Sequence, residues 1–399
     1  MSYSIHKCKY EVLMRGIKYI LVPILALLLG SCIYPYDIEL KEGAEGTVTI
    51  DGDIIYGEIS TFIVGLTQSV ADSVSKQFFV NTLYVECEDG TKYQGVNERG
   101  GIYIVDTRHL DKEKRYRFVA KISKDGFSPS NARTYMTDFM EVQITPPIDS
   151  ISYQIAQDSL SVSINVSTHD DSKPEGYYRW EYEENWEFKS VYRATYEYAY
   201  YSNSVYEIDF ETENRYYCWG KALSRDVLVH STKNSGSNVV YQEVLNGNID
   251  ATDKRLNTLY CIDVIQYSLT EEGYNFWKTL KKNEEGMGDI FSPQPSKPRG
   301  NIYCEEDKDE YVIGHIGCSS VTRMRRFITT QEFGIYREAD MTSPSIIGRE
   351  GWQTAYMEGL DVIEINEETR ECFWAPLKCV DCRKYGTKDK PDFWPTTNK

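Results

Sequence analysis

Tyr178-Arg179-Trp180-Glu181-Tyr182-Glu183 decides the fold, because large aromatic rings alternate with charges at a period of two, the spacing of a strand with one buried face. Trp186, Phe188, Tyr196, Tyr198 and Tyr200 keep the same parity downstream. Two readings of this aromatic row stay open. Either the rings fill the space between two sheets, or they form an exposed platform for sugar rings or a partner protein, with Trp180 and Tyr182 as candidate partner-surface residues.

The same alternation extends outward in both directions. Ile151 to Ile155 and Leu160 to Val166 alternate just upstream, and Tyr116, Phe118, Ala120 and Ile122 alternate with Arg115, Arg117, Val119 and Lys121 further back. From Gly46 to Thr145 about seven short runs are separated by turn signals such as Glu88-Asp89-Gly90 and Gly100-Gly101. The expectation is a mostly-β chain: an immunoglobulin-like or transthyretin-like β-sandwich over 46–145, a Pro146-Pro147 linker over 146–150, and a larger β-rich domain over 151–399 with one inserted helix. That helix is expected over about 269–284, where Ser268-Leu269-Thr270-Glu271 reads as a capping box and Leu269, Gly273, Phe276, Trp277 and Leu280 share a face.

With 399 residues, 41% hydrophobic and 26% charged, the chain has ample material for a core. Its 32 tyrosines favour strands, and a net charge of −17 repels phosphate and excludes nucleic acid as a partner. Lys7, Lys9, Arg15 and Lys18 precede the apolar run Tyr19 to Leu29, which is followed by Gly30-Ser31-Cys32. That order is a signal peptide over 1–32, with Met14 an alternative start, and Leu29-Gly30-Ser31-Cys32 resembles a bacterial lipobox in which Cys32 is acylated. A polar tether follows over 33–45, so the expected localisation is the outer membrane, held by lipid at Cys32.

Eight of the ten cysteines remain beyond Cys32. Cys304, Cys372, Cys379 and Cys382 are candidate disulfide or structural cysteines, and Cys379-Val380-Asp381-Cys382 also has metal or redox spacing. A zinc site would need a second Cys/His pair, and a redox motif a βαβ context; the sequence offers neither. Asn246, Asn248, Asp250 and Asp253 present closely spaced oxygens of the kind calcium uses, without the loop glycine and distal glutamate, and a plain turn accounts for the same residues. Ser73-Val74-Ser75-Lys76 matches a fragment of an acyl-serine motif whose companions are missing. No catalytic residue and no cofactor is expected. Phe393 and Trp394, between Pro391 and Pro395, are expected to dock on the body or on a partner.

Gln266-Tyr267-Ser268-Leu269-Thr270, Trp277, Pro293-Gln294-Pro295-Ser296 and Gly300-Asn301-Ile302-Tyr303-Cys304 resemble the central signature of the domain of unknown function 4249. Pro146-Pro147-Ile148-Asp149, Ser231-Thr232-Lys233-Asn234 and Cys379 to Trp394 are similar to its other blocks, with Tyr303 standing where the family usually has histidine. The resemblance implies a lipoprotein of Bacteroidota-type bacteria that partners a TonB-dependent outer-membrane receptor. The expected function is that of a non-enzymatic accessory component of nutrient uptake. A hydrolase drawing its acid and base from unpatterned carboxylates, and a purely structural envelope protein, are the alternatives.

Overall fold

Among the described residues strands hold 48% and helices 12%, which makes the fold mostly β. The structure, a computed structural model, describes residues 46–68, 77–124, 131–210, 212–286, 297–338 and 343–395. The segment ending at Cys32, the tether and Ser73 to Lys76 lie outside the described residues. No helix among the described residues is long and apolar enough to cross a membrane.

The first nine strands are β1 (Val48–Gly52), β2 (Ile54–Ile55), β3 (Ile59–Leu66), β4 (Phe79–Cys87), β5 (Lys92–Arg99), β6 (Ile102–Asp106), β7 (Arg115–Ser123), β8 (Arg133–Met136) and β9 (Met140–Glu141). Seven of them run β1-β3-β6-β5-β4-β7-β8 in one sheet, with β9 beside β7. Phe62 on β3 and Phe118 on β7 stand four strand spacings apart in that order, about 19 Å in a flat sheet. Their ring centroids are 4.9 Å apart, so the sheet rolls over on itself around the core of Phe62, Val85, Tyr116 and Phe118. The finer expectation of two separate stacked sheets over 46–145 is not confirmed: β5 joins the two facing halves into one continuous sheet.

The paired sheets lie further along the chain. β10 (Ile148–Ile155), β11 (Ser161–His169), β12 (Tyr177–Lys189), β13 (Tyr196–Ala199), β14 (Ser204–Glu207), β15 (Tyr217–Leu223), β16 (Leu228–Ser231), β17 (Val239–Asp250) and β18 (Leu259–Ser268) lead into helix α1 (Glu271–Gly286), followed by β19 (Tyr303–Cys304), β20 (Cys318–Ser319) and β21 (Val321–Thr329). A three-stranded sheet, β10-β11-β17, shares one core with a five-stranded sheet, β15-β12-β18-β21 plus β16 beside β12. Ile151, Val162, Ile164 and Val166 from the first meet Tyr178, Trp180, Tyr260 and Val264 from the second. The aromatic parity of β12 is thus core filling as far as Phe188. Tyr196 and Tyr198 belong instead to the β13–β14 hairpin, which packs with β22 (Ser345–Ile347), β23 (Leu360–Ile365) and β24 (Cys372–Pro376) around Trp374.

Helix α1 begins two residues later than expected, because the Thr270 hydroxyl, not that of Ser268, accepts from the Gly273 amide at 3.1 Å and caps the first turn. Leu269, Gly273 and Phe276 are buried and Trp277 and Leu280 half-buried, as their helical spacing requires.

The hydrophobic cores change over at Pro146-Pro147, the first drawing on residues up to Val142 and the next starting at Ile148, but the first is not closed there. The chain from Gly46 onward forms one compact unit, and Ile302, Cys304, Val312, Ile316 and Cys318 complete the core of the rolled sheet. β19 adds to β8 antiparallel and β20 pairs β2 in parallel. Ile313 exchanges backbone hydrogen bonds with Val48 and Ile50 at 3.0 and 2.9 Å. Gly314 permits this approach: at φ +139 a Cβ there would lie 1.9 Å from the Ile50 carbonyl oxygen. The joint itself is clamped, since the Pro146 carbonyl accepts from Gln266 Nε2 and from Thr322 Oγ1, each at 2.9 Å.

Glu310 fastens the returning segment to β7 and β8. Its carboxylate accepts from Arg133 at 2.6 Å, from the Tyr135 hydroxyl at 2.9 Å and from Lys124. Burial pushes this carboxyl up, but the hydrogen bonds from Lys124, Arg133 and Tyr135 outweigh it and hold the group at about 2, below the ordinary 4.5. A depressed carboxyl gives stability that is complete above pH 4.5 and lost as pH falls through about 2. Glu310→Gln is therefore expected to cost about 1–2 kcal/mol at pH 7 after solvent screening, and urea melts should show the gap to the parent closing between pH 4.5 and 2. A gap that stays constant over that range would contradict the assignment.

Candidate functional site

The outward face of the five-stranded sheet carries Arg179, Glu181, Glu183 and Glu187 from β12, Asp263 and Tyr267 from β18, and Arg323, Arg325 and Phe327 from β21, by the antiparallel register Glu183↔Asp263↔Arg325. Two elements cover its ends. At one end α1 lays Trp277 over Arg179, with the guanidinium carbon 4.4 Å from that ring and 4.3 Å from the ring of Tyr267. Arg179 also binds Asp53 at 2.6 Å and Glu181 at 3.1 Å, and Asp53 in turn accepts from the Gly317 amide at 2.7 Å. At the other end the C-terminal tail seats Trp394 among Trp219, Leu259, Cys261 and Phe327.

Between the two covers lies an open cleft of about 920 Å³. Its floor is the middle of the sheet face, and its walls are α1, through Trp277, Leu280 and Glu284, and the Leu223–Leu228 connection between β15 and β16. That connection is held by the Ser224 amide donating to the Tyr182 carbonyl at 2.8 Å and by the Ser224 hydroxyl accepting from the Tyr182 amide at 3.0 Å. Most of the floor charges are committed to one another: Arg325 to Asp263 at 2.5 Å, Lys221 to Glu183 at 2.7 Å, and Arg323 to Glu58. Burial pushes the Glu183 carboxyl up, but hydrogen bonds from Lys221 and Asn185 bring it below the ordinary carboxylate range. Asp51, at the rim, is raised, first by desolvation and then by the neighbouring Asp53 carboxylate.

The candidate residues named from the sequence fall mostly elsewhere. Trp180 and Tyr182 line the inside of the sheet and are 1% and 9% exposed, so neither offers a ring to a partner; the Trp180 indole donates to Gln266 at 2.8 Å within the core. Trp394 is 4% exposed and donates to the buried Glu187 at 3.1 Å, while the half-buried Phe393 carries Arg325 over its ring at 3.7 Å. The tail thus docks on its own chain. Cys382 forms a disulfide with Cys218, 164 residues away, which staples this segment to the body. Cys304, Cys372 and Cys379 are buried thiols, and burial followed by the Glu306 carboxylate pushes Cys304 up to about 11.

Asn246 and Asp250 lie in strand β17, not in a cation-binding loop. Asn246 donates to Glu184 at 3.0 Å, Asp250 caps Thr252 at 2.8 Å, Asp253 pairs with Arg255 at 2.8 Å, and Asn248 points to solvent. Only the Asp250 and Asp253 oxygens are spent on neighbours, Asn246 engaging through its amide nitrogen, and among the described residues no group of three or more His, Cys, Asp or Glu could hold a metal ion. The sequence reading missed Arg179, whose place among outward charges concealed its burial, and Cys218, for which spacing gave no signal.

Fold and site together define the class: a β-rich protein whose sheets present an open, largely charge-paired cleft. A family model described as a domain of unknown function, DUF4249, matches residues 33–325, and the chain belongs to that family. No curated protein matches. Among solved structures, the FN1–FN3 domains of chicken CNTN1 are similar over 57% of this chain and 60% of that one, at 15% identity and a TM-score of 0.21. Escherichia coli alpha-2-macroglobulin activated by porcine elastase is similar over 56% of this chain and 19% of that one, at 11% identity and a TM-score of 0.18. The chain therefore spans less than two thirds of either, and scores this low carry no argument about function.

Trp394 should contribute to stability in the isolated protein. Trp394→Ala empties a buried site and strips Glu187 of a hydrogen bond, so a cost of about 2–4 kcal/mol is expected in a thermal or urea melt. An unchanged melt would return the tail to a free end.

Proposed function

We propose that this protein is a non-enzymatic envelope lipoprotein, anchored in the outer membrane through acylated Cys32, that serves a TonB-dependent receptor of a nutrient-uptake system as an accessory binding component. The observation that carries the binding reading is the 920 Å³ cleft, whose size suits recognition of a ligand or a partner segment. Its floor charges are neutralised pairwise, and Glu183 is held below the carboxylate range, away from the near-neutral value that proton transfer favours. Groups arranged in this way orient a bound molecule. Anchorage is supported by the lipobox-like Leu29-Gly30-Ser31-Cys32, and several acyl chains at roughly 0.8 kcal/mol per buried methylene would make it effectively permanent. The receptor link rests on the family's resemblance blocks.

Affinity purification of the full chain from membranes, beside Cys32→Ala, tests the proposal. The expected result is a TonB-dependent receptor co-eluting with the parent protein, and loss of the Cys32→Ala protein from the membrane fraction. A parent protein that brings down no such receptor, or a variant that stays with the membrane, would overturn it.

A further inference from the structure

The balance of charge in the cleft is uneven once its ion pairs are set aside. Arg179, Arg323 and Arg325 are each paired with a carboxylate, as are Glu183 and Asp263 with a cation. Among the described residues, Asp51, Asp226 and Glu284 line the cleft and are in no ion pair, while Arg225 is the one lining arginine in that condition. Three uncommitted carboxylates thus face one uncommitted cation. They come from three separate elements, β1, the β15–β16 connection and α1, which converge on one opening.

Apolar surface stands beside these carboxylates. Leu223 is 64% exposed at the edge of the connection, and Leu280, Ile265 and the free side of Trp277 are half-buried on the opposite wall and floor. A bare metal cation would leave that surface wet, and an anionic headgroup or glycan would be repelled by the carboxylates and by a body of net charge −17. A ligand that satisfies both features carries positive charge next to aliphatic side chains.

We propose that the cleft binds a basic, leucine-type peptide segment of a partner protein: lysine or arginine side chains reach Asp51, Asp226 and Glu284 while the intervening aliphatic side chains pack on Leu223, Leu280 and Trp277. This rests on the reading of the cleft as a binding site and names the chemistry of its occupant. The Asp51 carboxyl is raised first by desolvation and then by Asp53, against the pull of Arg179, so an incoming cation would favour its charged form.

Isothermal titration of the full lipidated chain in detergent tests this with three probes: acetyl-Leu-Lys-Leu-Lys-amide and its Leu-Glu-Leu-Glu and Leu-Ser-Leu-Ser counterparts. The basic peptide is expected to bind about tenfold more tightly than either of the others, and more weakly as salt is raised. The double variant Asp226→Asn with Glu284→Gln should lose about fivefold or more of that affinity. The double variant Glu367→Gln with Glu368→Gln, two exposed carboxylates outside the cleft lining, should bind like the parent. Equal binding of all three peptides, no binding of the basic one, or equal weakening by both double variants would overturn the inference. Receptor co-purification retained alongside any of those results would leave the proposed function standing and discard only the occupant.

Discussion

A guanidinium inside a protein is costly unless every side of it is answered, and Arg179 is answered from four directions. Asp53 comes from the β1–β2 corner of the rolled sheet, Glu181 from its own strand, Tyr267 from β18 and Trp277 from α1. Burial pulls the group down, but the Asp53 and Glu181 carboxylates keep it charged. Its Nε is buried without a hydrogen-bond partner, so the charge is held by the ion pairs and ring faces around the other nitrogens. Once Arg179 is placed, the rolled sheet, the five-stranded sheet and the helix cannot shift independently, and Asp53 passes the constraint on to the Gly317 amide in the returning segment.

The cleft follows from this arrangement. On the outward face of the five-stranded sheet α1 covers one end and the C-terminal tail covers the other. Trp394, the Glu187 bond and the Cys218–Cys382 disulfide hold the second cover in place. What remains between them is a stretch of paired charges with a few carboxylates left over. The uncovered part of the face is the cleft, and the two covers are held at its ends.

Much of this was legible as periodicity. The alternation at Tyr178, Trp180 and Tyr182 placed a strand, and the helical spacing of Leu269, Phe276 and Trp277 placed the helix to within two residues. Periodicity reports which positions share a face, not what covers it. Arg179 therefore read as solvent-facing although α1 lies over it, and the aromatic row could be core or platform until the three-stranded sheet was set against it. Pro146-Pro147 read as a joint between domains because prolines stiffen a chain; the Gln266 and Thr322 side chains that clamp it are 120 and 176 residues distant. Residues 302–318 complete the first core from a similar distance, and pairing so remote leaves no local signal. Several residues that carry the family resemblance, Gln266, Tyr267, Trp277 and Asn301, turn out to make these long-range ties.

A double-mutant cycle on Arg179→Met and Asp53→Asn, read by urea unfolding of the full chain, tests the central claim most directly. Each single replacement leaves a buried charge or its acceptor uncompensated and should cost about 3–5 kcal/mol, and the double variant should cost less than their sum by about 2 kcal/mol or more. Strictly additive losses, or single variants as stable as the parent, would contradict the account.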